Sequence, residues 1–335
     1  MIPIKHILLP QPVEEEAVAL LKKAHLEVVL APDKKPETVA SLLKGKQAVV
    51  LRTGITFTRE LMSRADDLWV ISRTGAGVDN VDVPAATELG IVVTCVPGAN
   101  TISVVEQALA LILALMKQLP LMDREVRRDN FDIRYKNLPS DLNGKTLGVV
   151  GLGRIGSELA RACQHCFSTR ILAYDPYLSQ EVRTRFQGWI EFCDMERLFR
   201  KSDVISLHIP LLPSTRHLIG ARELGWMKPD AIIINTSRGG VLDEKALIQA
   251  LKERKIAGAG LDVFEEEPLD KENPLKTLDN VILTPHSAAL TKECVVRLAL
   301  GAAQTIVDIL HGKKPEGIVN PEVLTQARWK GLGSI

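Results

Sequence analysis

Three residues in the C-terminal half of the chain have types that can do chemistry together: Arg238, Glu267 and His286. Each follows an apolar run that reads as a strand. Arg238 lies in Asn235-Thr-Ser-Arg-Gly-Gly240, Glu267 follows Gly260-Leu-Asp-Val-Phe264, and His286 follows Leu283-Thr-Pro285. An arginine keeps its charge at any working pH and matches a carboxylate through two parallel hydrogen bonds. A histidine exchanges a proton near neutrality, and a glutamate beside it raises its pKa and fixes its ring. Taken singly, each has a plainer reading: a surface arginine, one member of the solvated run Glu265-Glu266-Glu267, and a helix-capping histidine.

What would position them is a parallel sheet organised around residues 145–156. A short apolar run over 146–150 reads as a buried strand and feeds into Gly151-x-Gly153-x-x-Gly156, after which Ile155, Leu159, Ala162 and Cys163 lie at helical spacing. Strand, glycine turn and helix is the context in which this motif binds a dinucleotide, although kinases use a similar loop. Gly151 permits the tight turn, Gly153 admits a pyrophosphate, and Gly156 lets helix and strand pack closely. The helix N-terminus offers free N–H groups to the phosphates. Asp175, at the end of a second strand over 170–174, can hold the ribose hydroxyls. Its charge would repel a 2′-phosphate, and Pro176-Tyr177-Leu178 supplies no arginine to receive one, so NAD is expected rather than NADP.

Successive strand ends of one such sheet would bring Arg238, Glu267 and His286 to the nicotinamide end of the cofactor. That set suits reduction of a 2-oxo acid. It provides a cation for the carboxylate and carbonyl, and a proton for the developing alkoxide.

The remaining composition excludes several classes. With 335 residues, 46% hydrophobic and 25% charged, the chain can form two domains with separate cores. Forty-two basic residues against 41 acidic ones leave no excess for a nucleic-acid or membrane surface. No secretory signal is expected in residues 1–12, and the longest apolar stretch, 108–116, falls short of the roughly 20 residues of a membrane span. Five cysteines without a secretion signal fit a reduced, cytoplasmic compartment. Cys163-Gln-His-Cys166 has no partner pair at zinc spacing and reads as buried helix packing, so no metal and no disulfide are expected.

In chain order, residues 1–100 alternate strand-like and helix-like pieces, which implies a parallel sheet covered on both faces. Arg73-Thr-Gly-Ala-Gly-Val-Asp-Asn80 then reads either as a plain turn or as a nest in which the N–H groups of Ala76, Gly77 and Val78 take an anion such as a carboxylate. Arg52 and Arg73 end strands on the same edge and read either as anion ligands or as solvated charges. Residues 101–119 look like one helix, apolar on nearly every face, followed after Pro120 by a polar connection over 123–141. A second alternating pattern begins at Lys145. A last helix spans 292–310, and residues 318–321 read as a segment returning to the first domain.

With these motifs in order, the chain resembles the D-isomer-specific 2-hydroxyacid dehydrogenase family. The resemblance rests on Gly151-Leu-Gly-Arg-Ile-Gly156 with Asp175, Ser206-Leu-His-Ile-Pro210, Asn235-Thr-Ser-Arg-Gly239, Asp243-Glu-Lys-Ala-Leu247, Gly260-Leu-Asp-Val-Phe264 with Glu267-Pro268, and Thr284-Pro-His286. It implies catalytic roles for Arg238, Glu267 and His286. It places NAD against Gly151, Gly153, Arg154, Ile155, Gly156, Asp175, His208, Pro210, Thr236 and Asp262, the last holding the nicotinamide carboxamide, and the substrate carboxylate against Ala76, Gly77 and Val78.

The implied fold is α/β with two doubly wound parallel sheets. A Rossmann NAD-binding domain (101–286) is inserted into a flavodoxin-like substrate-binding domain (1–100 with 287–335), with hinges near Thr101 and Pro285. A homodimer, or a tetramer, with the 119–141 arm embracing its partner is the family's habit.

Within the family Arg52, Arg73 and Pro97-Gly-Ala-Asn-Thr-Ile-Ser103 resemble phosphoglycerate dehydrogenases, whose matching arginines contact the substrate phosphate. Cys95-Val96 departs from that pattern, and no regulatory domain is expected after residue 335. The expected substrate is 3-phosphoglycerate, with hydroxypyruvate or glyoxylate as alternatives. A dinucleotide-sensing corepressor is the rival reading.

Overall fold

The computed structural model describes residues 2–330 and Leu332. The chain divides into two compact units, residues 1–100 with 290–335 and residues 101–289.

Unit 1 carries five parallel strands: β1 (His6–Leu9), β2 (Glu27–Leu30), β3 (Ala48–Leu51), β4 (Val70–Arg73) and β5 (Val92–Thr94), in the order β2-β1-β3-β4-β5. β1, β3, β4 and β5 are buried at nearly every position because both faces are covered. Ile7, Leu9, Val50 and Val70 point into one core with the helices Glu15–Lys23 and Lys292–Leu310, while Leu8, Val49, Leu51 and Ile71 point into the other. Strand order reverses between β1 and β3, the crevice in which ligands of such sheets bind. Arg52 leaves β3 there.

The tail returns to this unit as expected, and more firmly. Val319 N–H donates to Val93 O (2.9 Å), and the fully buried Asn320 accepts from Val93 N–H while donating to Ile91 O (2.9 Å each). Beyond it, Trp329 is buried against Trp69 edge to face (5.2 Å) and donates to Gly90 O, and Arg328 stacks on Trp69 at 4.0 Å. The turn-rich composition gave no sign of that second anchor.

Unit 2 carries seven parallel strands: β6 (Thr146–Val150), β7 (Arg170–Tyr174), β8 (Ile190–Phe192), β9 (Val204–Leu207), β10 (Ile232–Asn235), β11 (Gly258–Leu261) and β12 (Val281–Leu283). Their order is β12-β11-β10-β9-β6-β7-β8, with the reversal between β6 and β9. This is the doubly wound dinucleotide-binding arrangement extended by one strand.

The long helix differs from expectation. It runs Thr101–Met116, breaks where Gln118 takes a left-handed conformation (φ 51°), and resumes at a 56° bend as Leu119–Val126, with Pro120 in its first turn. Proline is tolerated there because the first N–H groups of a helix lack internal partners. The stretch after it is partly helical, through Ile133–Lys136, and neither short helix buries a residue. Among the described residues no single helix is long and apolar enough to cross a membrane, although this bent pair passes by length and composition.

Candidate active site

The glycine turn is built by close contacts that exclude side chains. Gly151 has φ 90°, and a Cβ there would lie 2.7 Å from His208 O, on the loop after β9. A Cβ on Gly156 would lie 2.1 Å from Gly151 O, so the first turn of the helix Arg154–Phe167 sits against the loop. Around Gly153 nothing comes within 4 Å, the residue is exposed, and no side chain caps the helix N-terminus. Open space before uncapped N–H groups suits a pyrophosphate.

Asp175, at the end of β7, accepts from Leu152 N–H (2.9 Å) and from Tyr177 N–H (3.1 Å), which ties it to the glycine turn. Arg183 donates to the Asp175 carbonyl and stacks on Phe192. His208 hydrogen-bonds Ser206 (2.8 Å), and burial pushes its imidazolium down to about 4, so its ring is neutral near pH 7. Pro210 is exposed beside it, its carbonyl accepting from Thr215. The Thr236 hydroxyl is buried with no partner among the described residues, a position that a ligand's polar group would satisfy. Arg154 is exposed and Ile155 half-buried at the helix start. These residues fit NAD, which when bound gives or takes a hydride at its nicotinamide ring.

Arg238, Glu267 and His286 stand on the ends of β10, β11 and β12, neighbours in the sheet. Asn235 shapes the first loop: its side chain accepts from Ser237 N–H and Oγ and donates to Arg238 O (3.0 Å). Gly239 then presses on the next loop so closely that a Cβ would lie 1.9 Å from the Phe264 carbonyl carbon. Phe264 N–H donates to Glu267 Oε1 (3.1 Å), and Glu267 Oε2 lies 2.7 Å from His286 Nδ1.

His286 has φ 50°, unusual for a residue with a side chain and a mark of imposed geometry. Asp262 imposes it. Its carbonyl accepts from His286 N–H (2.8 Å), and its carboxylate accepts from the N–H groups of Ser287 and Ala288 and from the Thr284 hydroxyl. Asp262 is thus almost fully buried, with three protein donors on its carboxylate.

The electrostatics favour an ion pair. Burial works against ionisation of Glu267, but hydrogen bonds from His286 and the Phe264 N–H, with the charges of His286 and Arg238, hold its carboxyl below the usual value. The hydrogen bond to Glu267 raises His286 above its usual value against burial and Arg238. With Nδ1 committed to Glu267, Nε2 is the atom left to exchange a proton.

In unit 1, Arg73 donates from Nε to Asn80 (3.0 Å) and from Nη1 to Thr74 O, while Asn80 also donates to Arg52 O and Ile55 O. Asn80 thus ties both arginines' strand ends together. Gly75 leaves room for the Arg73 guanidinium, which a Cβ would meet at 2.7 Å. No described residue accepts from the N–H groups of Ala76, Gly77 and Val78, as an anion nest requires. Arg52 is paired with Glu14 (3.1 Å). Sequence reasoning missed Glu14 and Asn80. Asn80 had a signal in its place in the glycine loop, whereas Glu14 lies 38 residues from its partner.

The five described cysteines are free thiols. Cys163 is buried, and burial pushes its thiol up to about 12, but Cys166, in the last turn of the helix, is exposed. The expectation that both are packing residues holds for Cys163 alone.

The strand order of unit 2 and its uncapped glycine turn define a dinucleotide-binding α/β protein. Residues 109–288 match the family model "D-isomer specific 2-hydroxyacid dehydrogenase, NAD binding domain", and the chain belongs to that family. It is 43% identical to a D-3-phosphoglycerate dehydrogenase of Methanocaldococcus jannaschii, over 96% of this chain and 60% of that protein. It is 40% identical to a glyoxylate reductase of Thermofilum pendens, over 93% of each. A D-lactate dehydrogenase from Aquifex aeolicus, solved with NAD and lactic acid, superimposes with a TM-score of 0.80 at 30% identity, covering 92% of this chain and 96% of that one. The chain spans about three fifths of the length of the phosphoglycerate dehydrogenases it matches.

Proposed function

We propose that the chain is an NAD-dependent D-2-hydroxyacid dehydrogenase, exchanging a hydride between NAD(H) and a small anionic 2-hydroxy or 2-oxo acid. The observation that carries this is the Glu267–His286 pair at 2.7 Å on strand ends adjoining Arg238. Arg238 binds the carboxylate and polarises the carbonyl, and His286 Nε2 gives the proton to the forming alkoxide during reduction or takes it during oxidation. Asp262 acts by holding the His286 loop, and its remaining acceptor capacity suits the carboxamide. Ala76, Gly77 and Val78 offer N–H groups to the substrate carboxylate.

Two substituents suit Arg52 and Arg73. A phosphate, as in 3-phosphoglycerate, is supported by the arginines and by relatives named for that substrate. A smaller, uncharged substituent, as in hydroxypyruvate or glyoxylate, is supported by the Glu14–Arg52 pair and by relatives named glyoxylate reductase. Reduction of 3-phosphohydroxypyruvate, hydroxypyruvate, glyoxylate and 2-oxoglutarate by the purified protein, followed as NADH absorbance, tests the proposal. No turnover with any of them refutes it, in favour of a cofactor-sensing interaction protein.

We further propose a homodimer through unit 2 in a reducing, cytoplasmic compartment. Leu119, Val126, Phe131, Tyr135 and Leu138 expose apolar side chains along one arm, which a second copy would cover. Light scattering reads the stoichiometry.

A further inference from the structure

The proposed reaction leaves one charged group unused. Glu14 enters unit 1's crevice from the loop after β1, at the reversal of strand order, and its Oε1 lies 3.1 Å from Arg52 Nη1, which also donates to Pro12 O. The pair is partly buried, with side chains 30% and 19% exposed for Arg52 and Glu14. Beside it lies a cavity of about 30 Å³, with Glu14, Arg52 and Arg73 on its polar side and Leu290, Val295 and Leu298 on its apolar side. Since a water-sized group needs roughly 10–15 Å³ by the same measure, there is room for two or three such groups. A phosphoryl group brings three terminal oxygens and up to two negative charges.

We infer that Glu14 sets the substrate class, reserving the Arg52 pocket for a neutral, hydroxyl-bearing substituent and disfavouring a phosphate. The inference rests on the dehydrogenase reading and on the substrate's substituent lying at Arg52. A hydroxyl satisfies both members of the pair, accepting from the guanidinium and donating to the carboxylate. The Glu14 carboxylate compensates the charge of the Arg52 guanidinium. A phosphate dianion finds the Arg52 charge already compensated and meets the Glu14 carboxylate as a like charge. The preferred substrate is then a 3-hydroxy-2-oxo acid such as hydroxypyruvate, and its phosphate ester is the poor one.

The test compares kcat/KM for hydroxypyruvate and 3-phosphohydroxypyruvate in the wild type, Glu14→Gln and Glu14→Asp. The wild type should favour hydroxypyruvate by at least about tenfold, a margin of about 1.4 kcal/mol. Glu14→Gln should lower KM for the phosphorylated substrate by a similar factor, and Glu14→Asp, which keeps the charge, should retain the wild-type order. A wild type that prefers the phosphate ester overturns the inference, as does a Gln variant that binds NADH normally and leaves the ratio unmoved. Should Glu14→Gln fail to fold, inorganic phosphate assayed against hydroxypyruvate in the wild type decides. Weak or absent competition supports the inference, and strong competitive inhibition defeats it. Failure of all 2-oxo acids to oxidise NADH removes the dehydrogenase reading itself, and the inference with it.

Discussion

At the scale of residues, the proton inventory of the Glu267–His286 pair makes the rate depend on pH in a direction that can be worked out. His286 is raised by its hydrogen bond to Glu267, so its imidazolium persists to higher pH than an isolated histidine's. Reduction needs that imidazolium and should fall as pH rises through the raised pKa. Oxidation needs the neutral ring and should grow through the same interval. Glu267→Gln removes the charge that does the raising and leaves burial and Arg238 acting the other way, so both arms should move to lower pH. Initial rates across a pH series in each direction check this, and profiles that stay in place would separate Glu267 from the titration. His286→Ala should lower kcat by roughly a hundredfold or more with little change in NADH affinity, measured by stopped-flow turnover beside fluorescence titration.

At the scale of elements, the catalytic loops are pinned to one another as well as to their strands. Besides the Gly239 contact with Phe264, the helix Glu244–Lys252 and the loop bearing Glu267 cap each other: Glu244 N–H donates to Glu265 Oε1 (2.8 Å), and Glu265 N–H donates to Glu244 Oε2 (3.2 Å). His217 adds a contact to Glu265 at 3.0 Å. Gly239→Ala should therefore push apart the loops that carry Arg238 and Glu267. Displacement of about 1 Å can cost about a hundredfold in rate, so kcat should drop by that order, read in the same assay with NADH binding as the control for folding. Most of the strands were legible in the sequence because their runs are apolar on both faces, as in residues 146–150 and 204–207. The break at Gln118 was not, since a left-handed residue with a side chain leaves no compositional mark and Leu119 continues the apolar run. The mutual capping of Glu244 and Glu265 was also hidden, because a glutamate in an acidic run looks like solvated surface until the fold supplies its partner.

At the scale of the whole molecule, the segment after residue 290 completes one core of unit 1. Trp329→Ala removes a fully buried ring from the core shared by β1, β3 and the helix Lys292–Leu310, and should cost about 3–5 kcal/mol. Urea titration should show an early transition for that variant, while NADH binding by unit 2 persists to the wild-type midpoint. The return of residues 318–321 was legible from an apolar segment following a turn-rich stretch. The docking of Trp329 was not, because one aromatic residue in a polar tail carries no period. The candidate site was legible where chemistry restricts residue type, as at Arg238, Glu267 and His286, which the fold brings to neighbouring strand ends. At Glu14 it was obscure, because the function resides in a pairing and not in a motif.

The Asn320 anchor on β5 also governs the order in which the chain can become structured during synthesis. Residues 101–289 are contiguous and emerge with everything their sheet requires, but β1 to β5 lack the helix Lys292–Leu310 and the Asn320 and Trp329 contacts until roughly 200 to 235 further residues are made. At translation rates of about 5–20 residues per second that interval is on the order of ten to forty seconds. Residues 1–100 therefore wait, with one face of their sheet open, for residues 292–329. A nascent chain whose residues 1–289 have left the ribosome but whose helix Lys292–Leu310 has not should expose the apolar surface of β1, β3 and β4 to chaperones while its NAD-binding unit is already protease-resistant.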